Sequence, residues 1–274
     1  MPDARTIRHS IIAGQWYPGE PRQLRAMMDG FMAAVDTEPL QGELVGLIVP
    51  HAGYMYSGQV AAYAYAQLKG RQFKRVVVVS PVHRMYVGTL AVTDKAYYET
   101  PLGLVPVNRE MVQALSVRQR INSVGEDMEH SLEIQLPFLQ HTLGEFSLTP
   151  IMMGNQDKQS AAELGVALAE VIGTEPVLLI ASTDLSHFHR YEAAVHLDQE
   201  IVRHIVALDA EGLAHAVETD RGEACGAGPV MAVMIAALRL KADRAVLLKY
   251  MNSGDVTGDR SSVVGYAAAA LMRS

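Results

Sequence analysis

Three short apolar runs, Val45–Val49, Val76–Val79 and Val177–Ile180, each stop abruptly at a polar segment. A run that is apolar at every position leaves no face for water. It therefore predicts a strand buried on both sides, as in a parallel sheet covered by helices. The segments that follow are Pro50-His51-Ala52-Gly53-Tyr54, Pro81-Val82-His83-Arg84 and Ser182-Thr183-Asp184-Leu185-Ser186-His187. Parallel α/β sheets put their working residues in the crevice beyond the carboxyl ends of the strands. A fourth segment, Ala224-Cys225-Gly226, precedes a helical pattern running from Gly228 to Leu240. Two histidines, a carboxylate and a lone cysteine converging there would make a metal or thiol site.

Between these runs, strand and helix patterns alternate. Helices are expected over Ser57–Leu68, from an Asn108 cap to about Val117, from Asp157 through Ile172, and over Tyr191–Leu208. Leu132, Leu136, Leu139 and Leu143 recur at helical spacing, with Pro137 read as a kink. Further strands are expected at Val87–Thr93, Ser147–Met153, Ala245–Met251 and Val263–Ala269, and a turn at Thr100-Pro101-Leu102-Gly103. No repeat or linker interrupts the 274 residues, so a single domain over 1–274 is expected: an α/β fold with a mostly parallel central sheet and helices on both faces.

Charge and composition exclude several classes. The net charge is −7 and no Lys/Arg cluster stands out, which argues against a nucleic-acid partner. No apolar run approaches the roughly 20 residues of a membrane span. The single cysteine rules out an intrachain disulfide, and the first residues lack the apolar stretch of a signal peptide. These features predict a cytoplasmic protein.

Each candidate has a plain structural alternative. His51 suits a ligand at a strand end, or a histidine hydrogen-bonded to backbone. His83 suits the same chemistry, or a loop at the surface. The two occupy equivalent positions after consecutive strand candidates, and neighbouring parallel strands lie about 4.8 Å apart. Asp184 orients an imidazole or caps its turn; His187 acts as acid/base or points to water, with His189 as a competitor. Cys225 near a helix start is a thiolate ligand or a small buried apolar group. Glu129, His130 and Glu133 form an acidic/histidine group at a helix head, read as supports for the site or a charged helix start. Trp16 and Tyr17 wall a pocket or pack the N-terminal arm. Asn252–Asp259 lacks calcium-loop spacing and reads as a tight polar loop, and no Walker or dinucleotide glycine motif is present.

Taken together, Ala13-Gly14-Gln15-Trp16-Tyr17-Pro18, the His51 and His83 segments, Glu129-His130-Ser131-Leu132-Glu133, Ser182–His187, Ala224-Cys225-Gly226 and Val264-Gly265-Tyr266 resemble the Memo family, also known as AmmeMemoRadiSam system protein B. The resemblance spans nearly the whole chain. It implies a fold like that of the class III extradiol (LigB-like) dioxygenases, which bind iron through two strand-end histidines. It further implies His51, His83 and Cys225 as metal ligands and His187 with Asp184 as the catalytic pair. Tyr54, His130, Glu133 and Trp16 are expected in the pocket or behind it. Cysteine in place of the dioxygenases' glutamate makes the donor set softer, so Fe(II) or copper is expected. A small phenolic or enolic ligand would enter such a pocket, as in a dioxygenase-like oxidoreductase. The alternative implied is a vestigial enzyme that captures a peptide or serves a radical-SAM partner.

Overall fold

A computed structural model describes residues 3–274. In chain order its strands are β1 (Ile7–Arg8), β2 (Glu43–Val49), β3 (Arg75–Pro81), β4 (Leu90–Thr93), β5 (Tyr97–Thr100), β6 (Gly103–Pro106), β7 (Asn122–Val124), β8 (Ser147–Met153), β9 (Val177–Ser182), β10 (His187–His189), β11 (Arg244–Asn252) and β12 (Val263–Arg273). The helices are α1 (Pro21–Ala33), α2 (Tyr54–Ala66), α3 (Arg109–Ser116), α4 (Leu136–Leu143), α5 (Lys158–Ile172), α6 (Tyr191–Val206), α7 (Ala210–Glu218), α8 (Ala227–Arg239) and α9 (Ser253–Thr257).

The large sheet runs β10-β12-β2-β9-β3-β8-β4-β7, and β11 pairs with β12. Its centre, β2-β9-β3-β8, is parallel, whereas β12, β11 and β10 join antiparallel on one side and β4 on the other. A small sheet, β1-β5-β6, lies apart from it. This mixed α/β sandwich is consistent with the LigB-like architecture that the resemblance implied.

The four consecutive valines of β3 explain why the run has no polar position. Val77 and Val79 pack in the core on one face, with Leu164 and Leu168 of α5 and Val233 of α8. Val76 and Val78 pack in the core on the other, with Leu24 of α1, Tyr65 of α2 and Phe138 of α4. Successive strand residues point to opposite faces, so both layers draw on one run. Each such burial contributes about 1.5–3 kcal/mol before the entropic cost of ordering the chain.

The structure corrects several local expectations. The α2 helix begins at Tyr54, three residues early, and Pro137 lies in the first turn of α4 rather than kinking it. Proline suits that position because the first helical N–H groups have no intrahelical partner. A 3-10 turn, Glu133–Gln135, precedes it. The polar loop at 252–259 contains the short α9, capped reciprocally by Asn252 and Asp255. The strands of His51 and His83 are not neighbours either, because β9 lies between β2 and β3.

Candidate metal centre

Since β9 separates β2 from β3, the loops that follow them must lean over its end. They do so: the rings of His51 and His83 have centroids 5.2 Å apart. His130 joins them from the loop after β7, with centroids 5.7 Å from His51 and 4.9 Å from His83. Each histidine offers a ring nitrogen, and the three nitrogens all lie within 4.8 Å of one another. With metal–nitrogen bonds of about 2.0–2.1 Å, donors of one ion stand at most about 4.2 Å apart. The spread exceeds that by at most about 0.6 Å.

The electrostatics suit a cation. Burial lowers the pKa of His51, and the neighbouring His83, His130 and His187 push it further down. Burial also lowers that of His83 and takes His130 down to about 3, so all three imidazoles are neutral near pH 7. A neutral imidazole is the form that binds metal. Nδ1 of His130 is buried and has no hydrogen-bond partner among the described residues. Such an orphan is costly unless something fills its lone pair or takes its proton.

Two loops are held by buried acids. The Glu129 carboxylate, fully buried, accepts from the backbone N–H groups of His83 (2.9 Å), Arg84 (2.6 Å) and Met85 (3.1 Å). Its own carbonyl accepts from Arg8 Nη2 at 2.6 Å. Arg8 in turn pairs with Asp127 and Glu133, all three buried. Glu133 also accepts from Ser10 (2.5 Å) and Tyr17 (2.7 Å). Glu133 therefore faces the N-terminal arm while His130 faces the cavity.

Cys225 lies beside His51. Its sulfur lies 3.1 Å from His51 Nε2 and accepts from the Asp184 N–H at 3.3 Å. Burial first, and the Asp184 carboxylate second, push its thiol pKa up, so the sulfur is protonated in the metal-free protein. Gly226 permits this approach: a Cβ there would stand 2.3 Å from the Ser182 carbonyl oxygen. Asp184 Oδ1 accepts from the His51 N–H at 2.7 Å, and burial raises its pKa to about 7. The imidazole beside the sulfur is that of His51.

A cavity of about 700 Å³ opens above the three histidines, lined also by Trp16, Asp184, His187, Phe188 and Tyr266. Trp16 packs on His130 with ring centroids 4.3 Å apart. Nδ1 of His187 lies 2.8 Å from the Leu185 carbonyl, which leaves Nε2 to the cavity. His189 is instead bound to Glu223 at 2.7 Å. Tyr54 is buried outside the lining: its N–H donates to the Trp16 carbonyl and its hydroxyl to the Ile134 carbonyl. Sequence reasoning missed Phe188 and Tyr266 as lining residues, and also Ser253, Thr257 and Asp259 from the 252–259 loop. Tyr266 stood in a recognised motif; nothing in the local pattern pointed to the others.

An α/β sandwich with histidines gathered over the ends of its parallel strands defines the class of this molecule. Residues 8–270 match the family model for "Memo-like protein". The chain belongs to that family. It is 37% identical to a MEMO1 family protein of Methanosarcina mazei, over 96% of this chain and 98% of that one. It is 36% identical to MEMO1 family protein MK0963 of Methanopyrus kandleri, over 97% and 99%. In structure it resembles the uncharacterized protein JW3007 from Escherichia coli K12, with a TM-score of 0.57 and 12% identity, covering 83% of this chain and 99% of that one. That likeness concerns fold. Among the described residues no helix is long and apolar enough to cross a membrane.

Proposed function

We propose that this protein binds a redox-active metal, Fe(II) or copper, through His51, His83 and His130, with Cys225 as the competing third donor. The observation that carries this reading is the gathering of three neutral ring nitrogens within 4.8 Å of one another, beside an orphaned buried Nδ1 on His130. Imidazole donors suit iron, copper and zinc alike, and thiolate would shift the preference towards copper. When bound, such an ion supplies one-electron redox chemistry and a Lewis-acidic position for a small phenolic or enolic ligand, as in a dioxygenase-like oxidoreductase.

The surrounding groups handle protons and shape. His187, with Nδ1 committed to a carbonyl, has Nε2 available to take a proton from a ligand hydroxyl. Asp184, with a pKa of about 7, holds or releases a proton near neutrality, and its Oδ2 lies 3.9 Å from His51 Nε2. Trp16, Phe188 and Tyr266 offer apolar walls to a flat ligand.

The test is anaerobic purification followed by metal analysis of the wild type, His51→Ala and His83→Ala. Bound metal in the wild type and its loss in both variants is expected. Unchanged metal content in both variants would overturn the reading.

A second reading, capture of a peptide or a radical-SAM partner by a vestigial pocket, draws on the rim. Met55 and Phe188 are 62% and 76% exposed at the cavity edge. Partner binding that survives loss of both histidines and of metal would favour it.

A further inference from the structure

Buried hydroxyls and amides behind His51 allow its ring proton to be located by elimination. Gln135 Nε2 lies 3.0 Å from the Pro50 carbonyl oxygen, which can only accept. The Gln135 amide is therefore oriented with nitrogen on that side, and its Oε1 accepts from Tyr65 at 2.7 Å. The second N–H of the same nitrogen points to Ser182 Oγ at 2.9 Å. Ser182 has one proton of its own. Its Oγ lies 2.6 Å from the Ser131 carbonyl oxygen, a separation that two oxygens tolerate only with a hydrogen between them. The hydroxyl proton is thus spent on Ser131, and Ser182 has only lone pairs left for His51 Nδ1 at 3.0 Å.

We propose that Ser182, oriented by Gln135 and Ser131, is a positioning residue that locks His51 in the Nδ1–H tautomer and so aims the Nε2 lone pair at the cavity. Ser182, Ser131, Gln135 and His51 are each at most 2% exposed, so water cannot take the place of a missing partner. The opposite tautomer would set the bare Nδ1 against an oxygen with no hydrogen to give. The Cys225 sulfur, 3.1 Å from Nε2, then meets a bare nitrogen that can accept its S–H, with the Asp184 carbonyl as a longer alternative at 3.6 Å. Chain geometry brings the lock into register: Ser182 closes β9 opposite Val49, two residues before His51. The functional meaning of the lock, though not its existence, rests on reading His51 as a metal ligand. Partners behind a ligating histidine commonly fix its tautomer in this way.

The experiment uses the metal-free full chain with 15N-labelled histidine rings. His51 signals are assigned by their loss in His51→Gln, and Fe(II) alone is then titrated anaerobically. The wild type is expected to show a protonated Nδ1 and an unprotonated Nε2. Ser182→Ala is expected to lose that signature and to bind Fe(II) about 10–100-fold more weakly. Gln135→Leu is expected to keep the signature, because the Ser182 proton still has Ser131 to go to; a purely structural role would not separate the two variants. An Nε2–H tautomer in the wild type overturns the proposal, whether or not Ser182→Ala folds. So does a Ser182→Ala protein with the wild-type ring signals and affinity. Should the wild type bind no Fe(II) but show the Nδ1–H form, the metal reading fails and the tautomer lock stands.

Discussion

The sulfur of Cys225 lies 3.1 Å from Nε2 of His51, while Nδ1 of His130 has no hydrogen-bond partner among the described residues. Under the proposed metal reading, two donors would compete for the third position beside His51 and His83. Their proton inventories differ, which makes the competition measurable. Burial keeps the Cys225 thiol protonated far above neutral pH, so its use as a ligand must expel a proton. The His130 ring, with its pKa lowered to about 3, carries no extra proton to expel. Metal affinity through three imidazoles should therefore rise between pH 6 and 8 only as far as the nearby Asp184 carboxylate ionises, well short of tenfold per pH unit. An affinity that climbs about tenfold per pH unit across that window, and loses the slope in Cys225→Ala, would instead make the thiolate a ligand. Repeating the titration in Asp184→Asn removes the one carboxylate nearby that changes charge near pH 7.

Glu129 should matter more to the site than its place outside the cavity suggests. Its carboxylate gathers three successive backbone N–H groups, those of His83, Arg84 and Met85. Truncation to Ala leaves these donors short of partners and Arg8 with a disturbed neighbourhood. We expect Glu129→Ala to cost about 3 kcal/mol, or roughly 6–12 °C in Tm, and to weaken metal binding through His83. A melting curve and a metal titration check both. Wild-type affinity would show that the His83 loop keeps its shape without the carboxylate.

Gly226→Ala should damage the Cys225 approach without touching any donor atom. The added methyl would meet a backbone oxygen at 2.3 Å, and backbone cannot step aside as a flexible side chain can. Overpacking of this kind typically costs about 1–3 kcal/mol. The sulfur is expected to withdraw from His51, which thiol labelling of the native protein would register as faster modification. Unchanged labelling would mean that the turn absorbs the methyl elsewhere.

Phe188 is 76% exposed and sits at φ 63°, a left-handed conformation that costs a residue other than glycine or asparagine roughly 1 kcal/mol or more. Phe188→Asn should therefore raise Tm slightly while weakening capture of a flat ligand at the cavity rim. Thermal melts paired with ligand titration separate the two effects. A lower Tm would mean that the ring's packing outweighs the backbone strain.

What the sequence made legible was mostly local. The β8 strand and the start and end of α5 coincide with their expected bounds; for α5 the Asp157 cap is a signal contained within a few residues. Asn108 likewise caps α3 through its side chain, which accepts from the Met111 N–H. The insertion of β9 between β2 and β3 left no such trace, since strand order is decided by which faces pack together. The α1 and α7 helices also escaped notice. At the site, strand-end position marked His51, His83, Asp184 and His187 as cavity residues. The arrival of His130 depends on partners more than a hundred residues distant, such as Arg8 on the Glu129 carbonyl, and no nearby spacing encodes that.

The buried guanidinium of Arg8 belongs to a two-residue strand near the front of the chain, yet it braces the peptide that carries His130 and, through Glu129, the bend that carries His83. If the centre holds a metal as proposed, harm done to those opening residues, by a protease or a bulky fusion, would be felt as a slackened grip on it. The amino-terminal arm is a remote fastener of the centre, and intact front ends should accompany full metal loading.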